Sequence, residues 1–135
     1  GRIVGTDVTQ AVALFGLGDL GRALLSYRGF EERGFNVAAI FETDPDKVGH
    51  VFNGRRCYGL DDLETVIRHH DIRIAILASR AEGLQELVDR VAAVGVRAFL
   101  NFVPKRVNAP ADGFVENIDI SAKLEKLSFL SRRLD

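Results

Sequence analysis

The chain has 135 residues, of which 47% are hydrophobic and 27% charged, and this composition is typical of one folded globular domain. Its 18 basic and 19 acidic residues leave a net charge of -1, so the chain has no overall positive field with which to hold nucleic acid by itself. The apolar runs are far shorter than the roughly 20 residues of a membrane span, and no basic and apolar leader precedes them, which predicts a cytoplasmic protein without a membrane partner.

Short apolar segments predict the strands of a sheet that is covered on both faces. None of them shows the regular alternation of polar and apolar residues that is typical of a half-buried strand. The segments are residues 11–15, 36–41, 72–78 and 96–100. Further short strands are expected at residues 57–58 and 114–118.

Helical patterns separate these segments. They cover residues 19–32, 60–70 and 81–94. The first helix is expected to end at Gly34 and carries one apolar stripe. The stripe comprises Leu20, Ala23, Leu24 and Tyr27. The alternation of strands and helices predicts an α/β fold with a Rossmann-type, doubly wound and mostly parallel sheet.

The last segment, residues 121–134, predicts a protruding C-terminal helix with a polar N-cap and an apolar stripe. The stripe consists of Leu124, Leu127, Leu130 and Leu134. A terminal helix with so apolar a stripe needs a partner surface, which is either the sheet of the same chain or a second copy in a dimer. Periodicity alone leaves both alternatives open.

Three glycines directly follow the first predicted strand and open the first predicted helix. Gly16 is expected to form the tight exit from the strand, Gly18 to let the backbone approach a pyrophosphate, and Gly21 to let the helix pack close to the strand. The N–H groups at the helix start and the positive end of its dipole would then face a diphosphate. In this context the glycine pattern predicts a dinucleotide-binding loop.

A carboxylate stands at the end of the second predicted strand, where Glu42 follows Gly21 by 21 residues. A carboxylate at this place can accept hydrogen bonds from both ribose hydroxyls of an adenosine, and it repels a 2′-phosphate. The sequence therefore favours NAD(H) over NADP(H). The run Asp44-Pro45-Asp46 is interpreted as the cap and first turn of a short helix.

The side chains that could act chemically on a bound nucleotide are poorly placed for it. His50 lies in a glycine-flanked loop, whereas His69 and His70 end a helix and point about 100 degrees apart. Ser79 lacks the flanking glycines of a nucleophile elbow. Cys57 has no basic partner at a fixed spacing and is expected to be a half-buried side chain at a strand end. We therefore expect no enzyme activity, no catalytic residue and no metal site.

Longer motifs give the chain a family resemblance. The stretches "VALFGLGDLGRALLSYRGFEERGFNVAAIFETDPDKVG", "NFVP" and "VENIDISAKLEKLSFL" resemble the C-terminal domain of Rex, a family of bacterial redox-sensing transcriptional repressors. The likeness covers residues 6–134. It implies a Rossmann domain, residues 1–120, that binds NADH and NAD+ competitively and reports their ratio. It also implies a helix, residues 121–135, that is exchanged between the protomers of a homodimer.

The resemblance implies roles for individual residues. Tyr27 and Asp119 match a tyrosine and an aspartate that are thought to pair across subunits in one ligation state and to separate in the other, so they are the expected allosteric residues. Glu42 stands where the family usually has an aspartate on the ribose. The expected cofactor-binding residues are Gly16, Leu17, Gly18, Asp19, Leu20, Gly21, Glu42, Thr43, Ala78, Ser79, Asn101 and Phe102.

The resemblance further implies that operator DNA binds only through an N-terminal winged helix, which is expected to be missing from this chain. The chain would then be either an excised domain or a headless relative. Two departures from the family pattern add positive charge near the expected nicotinamide. Ser79-Arg80 replace a valine-proline pair, and Lys105-Arg106 replace apolar residues after the NFxP motif.

A competing interpretation is a nucleotide-binding module of another class. The chain could be a CoA-binding domain like that of succinyl-CoA synthetase, or the cofactor-binding half of an oxidoreductase. CoA has no second ribose to position and needs a basic patch for its 3′-phosphate, which Lys105 and Arg106 could supply. Glu42 therefore argues against CoA, and the two basic residues argue for it.

Overall fold

The computed structural model describes residues 9–133 and contains a seven-stranded sheet with the order β3-β4-β2-β1-β5-β6-β7. The strands are β1 (Gln10–Phe15), β2 (Phe35–Phe41), β3 (Val51–Phe52), β4 (Arg55–Tyr58), β5 (Ile74–Leu77), β6 (Ala98–Asn101) and β7 (Phe114–Asn117). Every neighbouring pair is parallel except β3 and β4, which are antiparallel. The prediction of an α/β fold with a mostly parallel sheet is confirmed.

Helices connect β1 to β2, β4 to β5 and β5 to β6, and a further helix follows β7. They are α1 (Asp19–Leu25), α2 (Gly29–Glu32), α3 (Leu63–His69), α4 (Leu84–Ala93) and α5 (Ile120–Arg133), and a short 3-10 turn (Leu60–Asp62) precedes α3. Across the described part of the chain, no helix combines the length and the apolar character that a membrane crossing requires.

Apolar side chains are buried on both faces of the central strand β1. Ala13 and Phe15 belong to one core cluster, which also contains residues of α3 and α4. Val12 and Leu14 belong to a second cluster, to which α1 contributes Leu25. Residues 12–15 of β1 are all buried and apolar because both faces of the strand are covered, and this explains why the sequence shows no alternation. The doubly wound arrangement predicted from the sequence is confirmed.

The single helix predicted over residues 19–32 was wrong, because the chain forms two short helices, α1 and α2, with a break between them. The predicted apolar stripe is also on the wrong face: Leu20 is 40% exposed and Tyr27 is 58% exposed. The buried residues of α1 are Gly21 and Leu25. The physical reason is that α1 approaches the preceding loop through Gly21, whose missing side chain allows backbone contact with Gly16. Of the predicted stripe, Leu24 packs against the same core cluster as Leu25, whereas Leu20, Ala23 and Tyr27 are exposed.

The C-terminal helix α5 makes no buried contact with the rest of its own chain. All of its residues are exposed, including Ile120, Leu124, Leu127, Phe129 and Leu130 at 45% to 61%. The helix was predicted over residues 121–134, and Leu134 lies outside the described residues. Of the alternatives that periodicity left open, packing of this stripe on the sheet of the same chain does not occur in the structure.

Candidate functional site

A cleft of about 1030 Å³ opens where β1, β2 and β5 end. Phe15 and Gly16 contribute its floor from the end of β1, which lies between β2 and β5 in the sheet. Connections leave these neighbouring strands towards opposite faces of the sheet, so the cleft lies where open α/β sheets bind their ligands. Six of the predicted cofactor-binding residues line it, namely Gly16, Gly18, Glu42, Thr43, Ala78 and Ser79.

The three glycines have different backbone environments. Gly16 has a φ of +99°, and a Cβ atom there would lie 2.6 Å from the carbonyl oxygen of Ala78 at the end of β5. A Cβ atom on Gly21 would collide with the carbonyl oxygen of Gly16. A Cβ atom on Gly18 would meet no atom within 4 Å. Gly16 and Gly21 are therefore required by the fold, whereas bare backbone at Gly18 leaves open space on the cleft side.

Glu42 connects the end of β2 to the glycine loop. Its carboxylate accepts a hydrogen bond from the N–H of Leu17 at 2.6 Å and others from the N–H groups of Thr43 at 2.9 Å and Asp44 at 3.2 Å. The side chain is only 12% exposed. A carboxylate has about four lone-pair positions, so these contacts leave about one for a ligand hydroxyl. Glu42 thus both shapes the loop and faces the cleft.

Lys47 also contacts the glycine loop at the end of β2. Its ammonium group donates to the carbonyl oxygen of Leu17 at 2.8 Å and lies 3.9 Å from the Glu42 carboxylate and 3.8 Å from that of Asp44. The sequence reasoning assigned no role to this lysine. The turn predicted after Asp44 could have indicated this position. The N–H of Lys47 donates to the carbonyl oxygen of Asp44, and this turn places the lysine next to the end of β2. The turn is confirmed, although no helix longer than this turn forms.

The other side of the cleft is built by the loop between β5 and α4. Ala78 and Ser79 are half-buried at the strand end, and Arg80 and Glu82 are exposed charged residues that also line the cleft. Gly83 has a φ of +68°, a left-handed conformation that directs the chain into α4. This turn is the reason that the helix begins at Leu84 instead of residue 81.

Several predicted cofactor-binding residues lie outside the lining of the cleft. Leu17 is fully buried in the core cluster beneath α1, and Gly21 is buried against the loop. Asp19 and Leu20 are exposed in the first turn of α1. Only their backbone N–H groups could serve the cleft, because the first N–H groups of a helix have no partner within the helix.

Asn101 and Phe102, at the end of β6, serve the fold in this structure. The Asn101 amide donates to the carbonyl oxygen of Lys105 and to the Asn117 side chain, each at 2.8 Å, and its oxygen accepts from the N–H of Val103 at 2.9 Å. This fully buried side chain therefore fixes the following turn and β7. Phe102 is half-buried against the core cluster beneath α1.

The expected allosteric residues lie apart from the cleft lining. The Tyr27 ring packs edge-on against Phe30, with centroids 5.0 Å apart, and lines a separate cavity of about 250 Å³. Asp119 precedes α5, and its carboxylate accepts a hydrogen bond from the N–H of Ala122 at 3.0 Å, which caps the helix. Each residue is thus anchored within its own segment, with Tyr27 largely exposed.

The remaining reactive side chains do not gather at the cleft. Cys57, expected to be half-buried, is completely buried in β4. Burial, together with the charge of Glu42, raises the pKa of its thiol to about 11. The rings of His69 and His70 stack edge-on at the end of α3. Among residues 9–133, no group of three His, Cys, Asp or Glu side chains could hold a metal ion.

Comparisons with known proteins identify relatives of this arrangement. The family model for the CoA binding domain matches residues 7–105. The redox-sensing transcriptional repressor Rex of Rhodopirellula baltica is 41% identical over 129 residues, which is 96% of this chain and 54% of the relative. Its counterpart in Desulfitobacterium hafniense is 38% identical over 128 residues, which is 95% of this chain and 61% of the relative. The chain thus spans somewhat more than half the length of these relatives, which are named as transcriptional repressors.

Solved structures give the same result. The structure of RSP with β-NADH has a TM-score of 0.84 and 30% sequence identity, covering 99% of this chain and 68% of that chain. The structure of RSP with β-NAD+ and operator DNA has a TM-score of 0.89, also at 30% identity, covering 98% of this chain and 61% of that chain. RSP is described as a Rex-family repressor. The fold, the sequence relatives and the structural relatives agree that this chain belongs to the Rex family of redox-sensing transcriptional repressors and corresponds to their C-terminal nucleotide-binding domain.

Proposed function

We propose that the chain binds NADH and NAD+ in the cleft and acts as the redox-sensing part of a transcriptional regulator. The adenosine ribose lies at Glu42, the diphosphate over the backbone of Gly18, and the nicotinamide on the side of Ser79. The observation that carries the proposal is the joining of Glu42 to the glycine loop through the N–H of Leu17, because one carboxylate then sets both the ribose and the diphosphate positions.

The chain is proposed to bind the nucleotide without transforming it. A hydride transfer needs a proton donor or acceptor beside the nicotinamide. The nicotinamide side of the cleft is lined by Ser79 and by the exposed charged residues Arg80 and Glu82, and no histidine of the described chain lines it. Neither Ser79 nor Glu82 makes a side-chain hydrogen bond within the described residues that would orient it for proton transfer. The chain then senses the redox state only through the difference between its affinities for NADH and NAD+.

We further infer that a second copy covers the apolar stripe of α5, with residues 1–120 as the binding domain and residues 121–135 as the dimerisation helix. A ligand can shift the dimer from one conformational state to the other only if it binds the two states with different affinities. Raising the population of one state from about 1% to 99% requires the ligand to bind that state about ten thousand times more tightly than the other. Tyr27 and Asp119 are the proposed contact that differs between the states. Operator DNA would be bound by a domain outside this chain.

The function is tested by titrating the chain with NADH, NAD+, NADPH and CoA, followed by heat or by nucleotide fluorescence. NADH is expected to bind tightest and CoA weakest, because the 3′-phosphate on the adenosine ribose of CoA removes one hydroxyl that Glu42 could bind and is repelled by the carboxylate. Tighter binding of CoA than of NADH would replace the proposal with the CoA-binding alternative. A preference for NADPH would contradict the assigned role of the carboxylate.

Gly18→Val provides a blocked-site control for this titration. The backbone of Gly18 is extended, with a φ of -84° and a ψ of -157°, and a Cβ atom there would meet no atom within 4 Å. The variant is expected to unfold at nearly the same temperature as the unmodified chain and to bind NADH at least about tenfold more weakly, since its side chain occupies the diphosphate position. Unchanged NADH affinity would place the nucleotide away from the glycine loop.

A further inference from the structure

The cleft has charged side chains at two places, and they differ in how they are neutralised. At the β2 end, Lys47 donates to a loop carbonyl and lies within 4 Å of two carboxylates, so its charge is compensated. At the β5 end, Arg80 is exposed, lines the cleft and makes no hydrogen bond or ion pair with any residue in the described range 9–133. Of the two cations in the cleft lining, Arg80 is therefore the one that no carboxylate of the described residues contacts.

The order of the strands places Arg80 on one particular half of a bound dinucleotide. β1 lies between β2 and β5. If the ribose of the adenosine is at Glu42 and the diphosphate is at Gly18, as the proposed function has it, the other half of the molecule extends over the end of β5. Neighbouring strands are about 4.8 Å apart, so this half lies about 10 Å from the β2 end. Arg80 is the first charged residue after β5.

We propose that Arg80 is a specificity-determining residue that makes the cleft prefer the reduced dinucleotide. The nicotinamide ring carries a positive charge in NAD+ and none in NADH. The guanidinium repels the charged ring and leaves the neutral ring unaffected. Its attraction to the diphosphate is the same for both ligands and cancels in the ratio of their dissociation constants. Because Arg80 is exposed, water weakens the repulsion, which limits its effect on the ratio to about 3- to 10-fold.

The test measures the ratio Kd(NAD+)/Kd(NADH) at low ionic strength in the unmodified chain and in variants. Arg80→Gln is expected to lower the ratio about 3- to 10-fold, whereas Arg80→Lys, which keeps the charge, is expected to preserve it. Added salt is expected to lower the ratio in the unmodified chain and not in Arg80→Gln, because the Debye length falls from about 30 Å at 0.01 M to about 3 Å at 1 M. Arg73→Gln, at the opposite end of β5, is the matched control and is expected to change nothing.

Glu82→Gln tests whether the ratio Kd(NAD+)/Kd(NADH) changes in the direction that a charge effect requires. Glu82 is the opposite charge in the same loop and also lines the cleft, so removing it is expected to raise the ratio. An unchanged ratio in Arg80→Gln, or equal changes in Arg80→Gln and Arg73→Gln, would overturn the proposal. NADH binding by the unmodified chain tests the proposed function separately: binding with an unaltered ratio rejects only the role of Arg80, whereas no binding of either nucleotide rejects both.

Discussion

Glu42 illustrates how much a single residue can contribute to this site. Its carboxylate takes three backbone hydrogen bonds, including the short contact with the glycine loop, and the ammonium of Lys47 lies nearby. Hydrogen bonds to a charged group contribute about 1.5–3 kcal/mol each, which is more than a neutral pair contributes. The position of the loop therefore depends on the ionised carboxylate before any ligand arrives.

Glu42→Gln separates the two roles of this side chain. The amide presents a donor where the carboxylate presented an acceptor, so at least one contact is lost and NADH affinity is expected to fall about 10- to 100-fold. Because the negative charge no longer repels a 2′-phosphate, the ratio Kd(NADPH)/Kd(NADH) is expected to fall as well. Calorimetric titration measures both. Asp46→Asn, an exposed carboxylate of the same turn, is the control. Equal weakening of both nucleotides would leave Glu42 with a loop-shaping role alone.

At the scale of elements, α3 and α4 are joined across the surface by one ion pair. The Arg90 guanidinium of α4 donates to both carboxylate oxygens of Glu64 at 2.7 and 2.9 Å and to the carbonyl oxygen of Leu60 at 2.8 Å. These hydrogen bonds hold the pKa of Glu64 at about 2, below its ordinary value of 4.5. Such a two-pronged contact is the geometry in which a surface pair does contribute to stability.

The lowered pKa of Glu64 predicts a particular acid response. A carboxyl group with a folded pKa of about 2 and an unfolded pKa near 4.5 stabilises the fold fully above the unfolded value, and this contribution is lost as the pH falls towards 2. Glu64→Gln is therefore expected to lower the free energy of unfolding modestly at neutral pH, with the difference from the unmodified chain shrinking between pH 4.5 and 2. Urea unfolding across this range measures it. Glu86→Gln, an exposed glutamate of α4, should show no such dependence.

At the scale of the whole molecule, the apolar stripe of α5 is exposed to solvent. Its stripe of leucines is exposed along the entire helix, although a helix of this length derives most of its stability from packing. The sheet of the same chain does not cover it, because every residue of α5 is exposed. A second copy of the chain, as proposed above, would supply the missing contact.

Leu127→Lys tests whether a second copy covers this stripe. A lysine in a buried interface position is expected to weaken dimerisation at least about tenfold, while the fold of the domain is unchanged because Leu127 is exposed and α5 buries no side chain against its own chain. Sedimentation velocity measures the oligomeric state, and circular dichroism checks the fold. Glu125→Lys introduces the same side chain on the opposite face of α5 and is expected to leave the dimer intact. Equal amounts of dimer in both variants would place the interface elsewhere.

The sequence by itself determined the features that depend on local chemistry. Strands covered on both faces show unbroken apolar runs, and the glycine spacing around Gly16 can be satisfied by few backbone shapes, so the parallel sheet and the loop followed from the pattern. The separation of Gly21 and Glu42 fixed the carboxylate at the end of β2 for the same reason. These inferences needed only the geometry of one strand, one turn and one helix.

Only the tertiary structure decided which faces and which distant partners these elements use. Periodicity gives the stripe of a helix but neither its rotation nor its end: α1 faces the glycine loop through Gly21 and ends at Leu25, and Leu20 and Tyr27 are exposed. Lys47 reaches Leu17 across 30 residues of sequence, and Arg90 reaches Glu64 across 26. Asn101 is occupied by its own turn for a similar reason. Contacts between segments that are distant in sequence depend on how whole elements pack, and no local pattern records that packing.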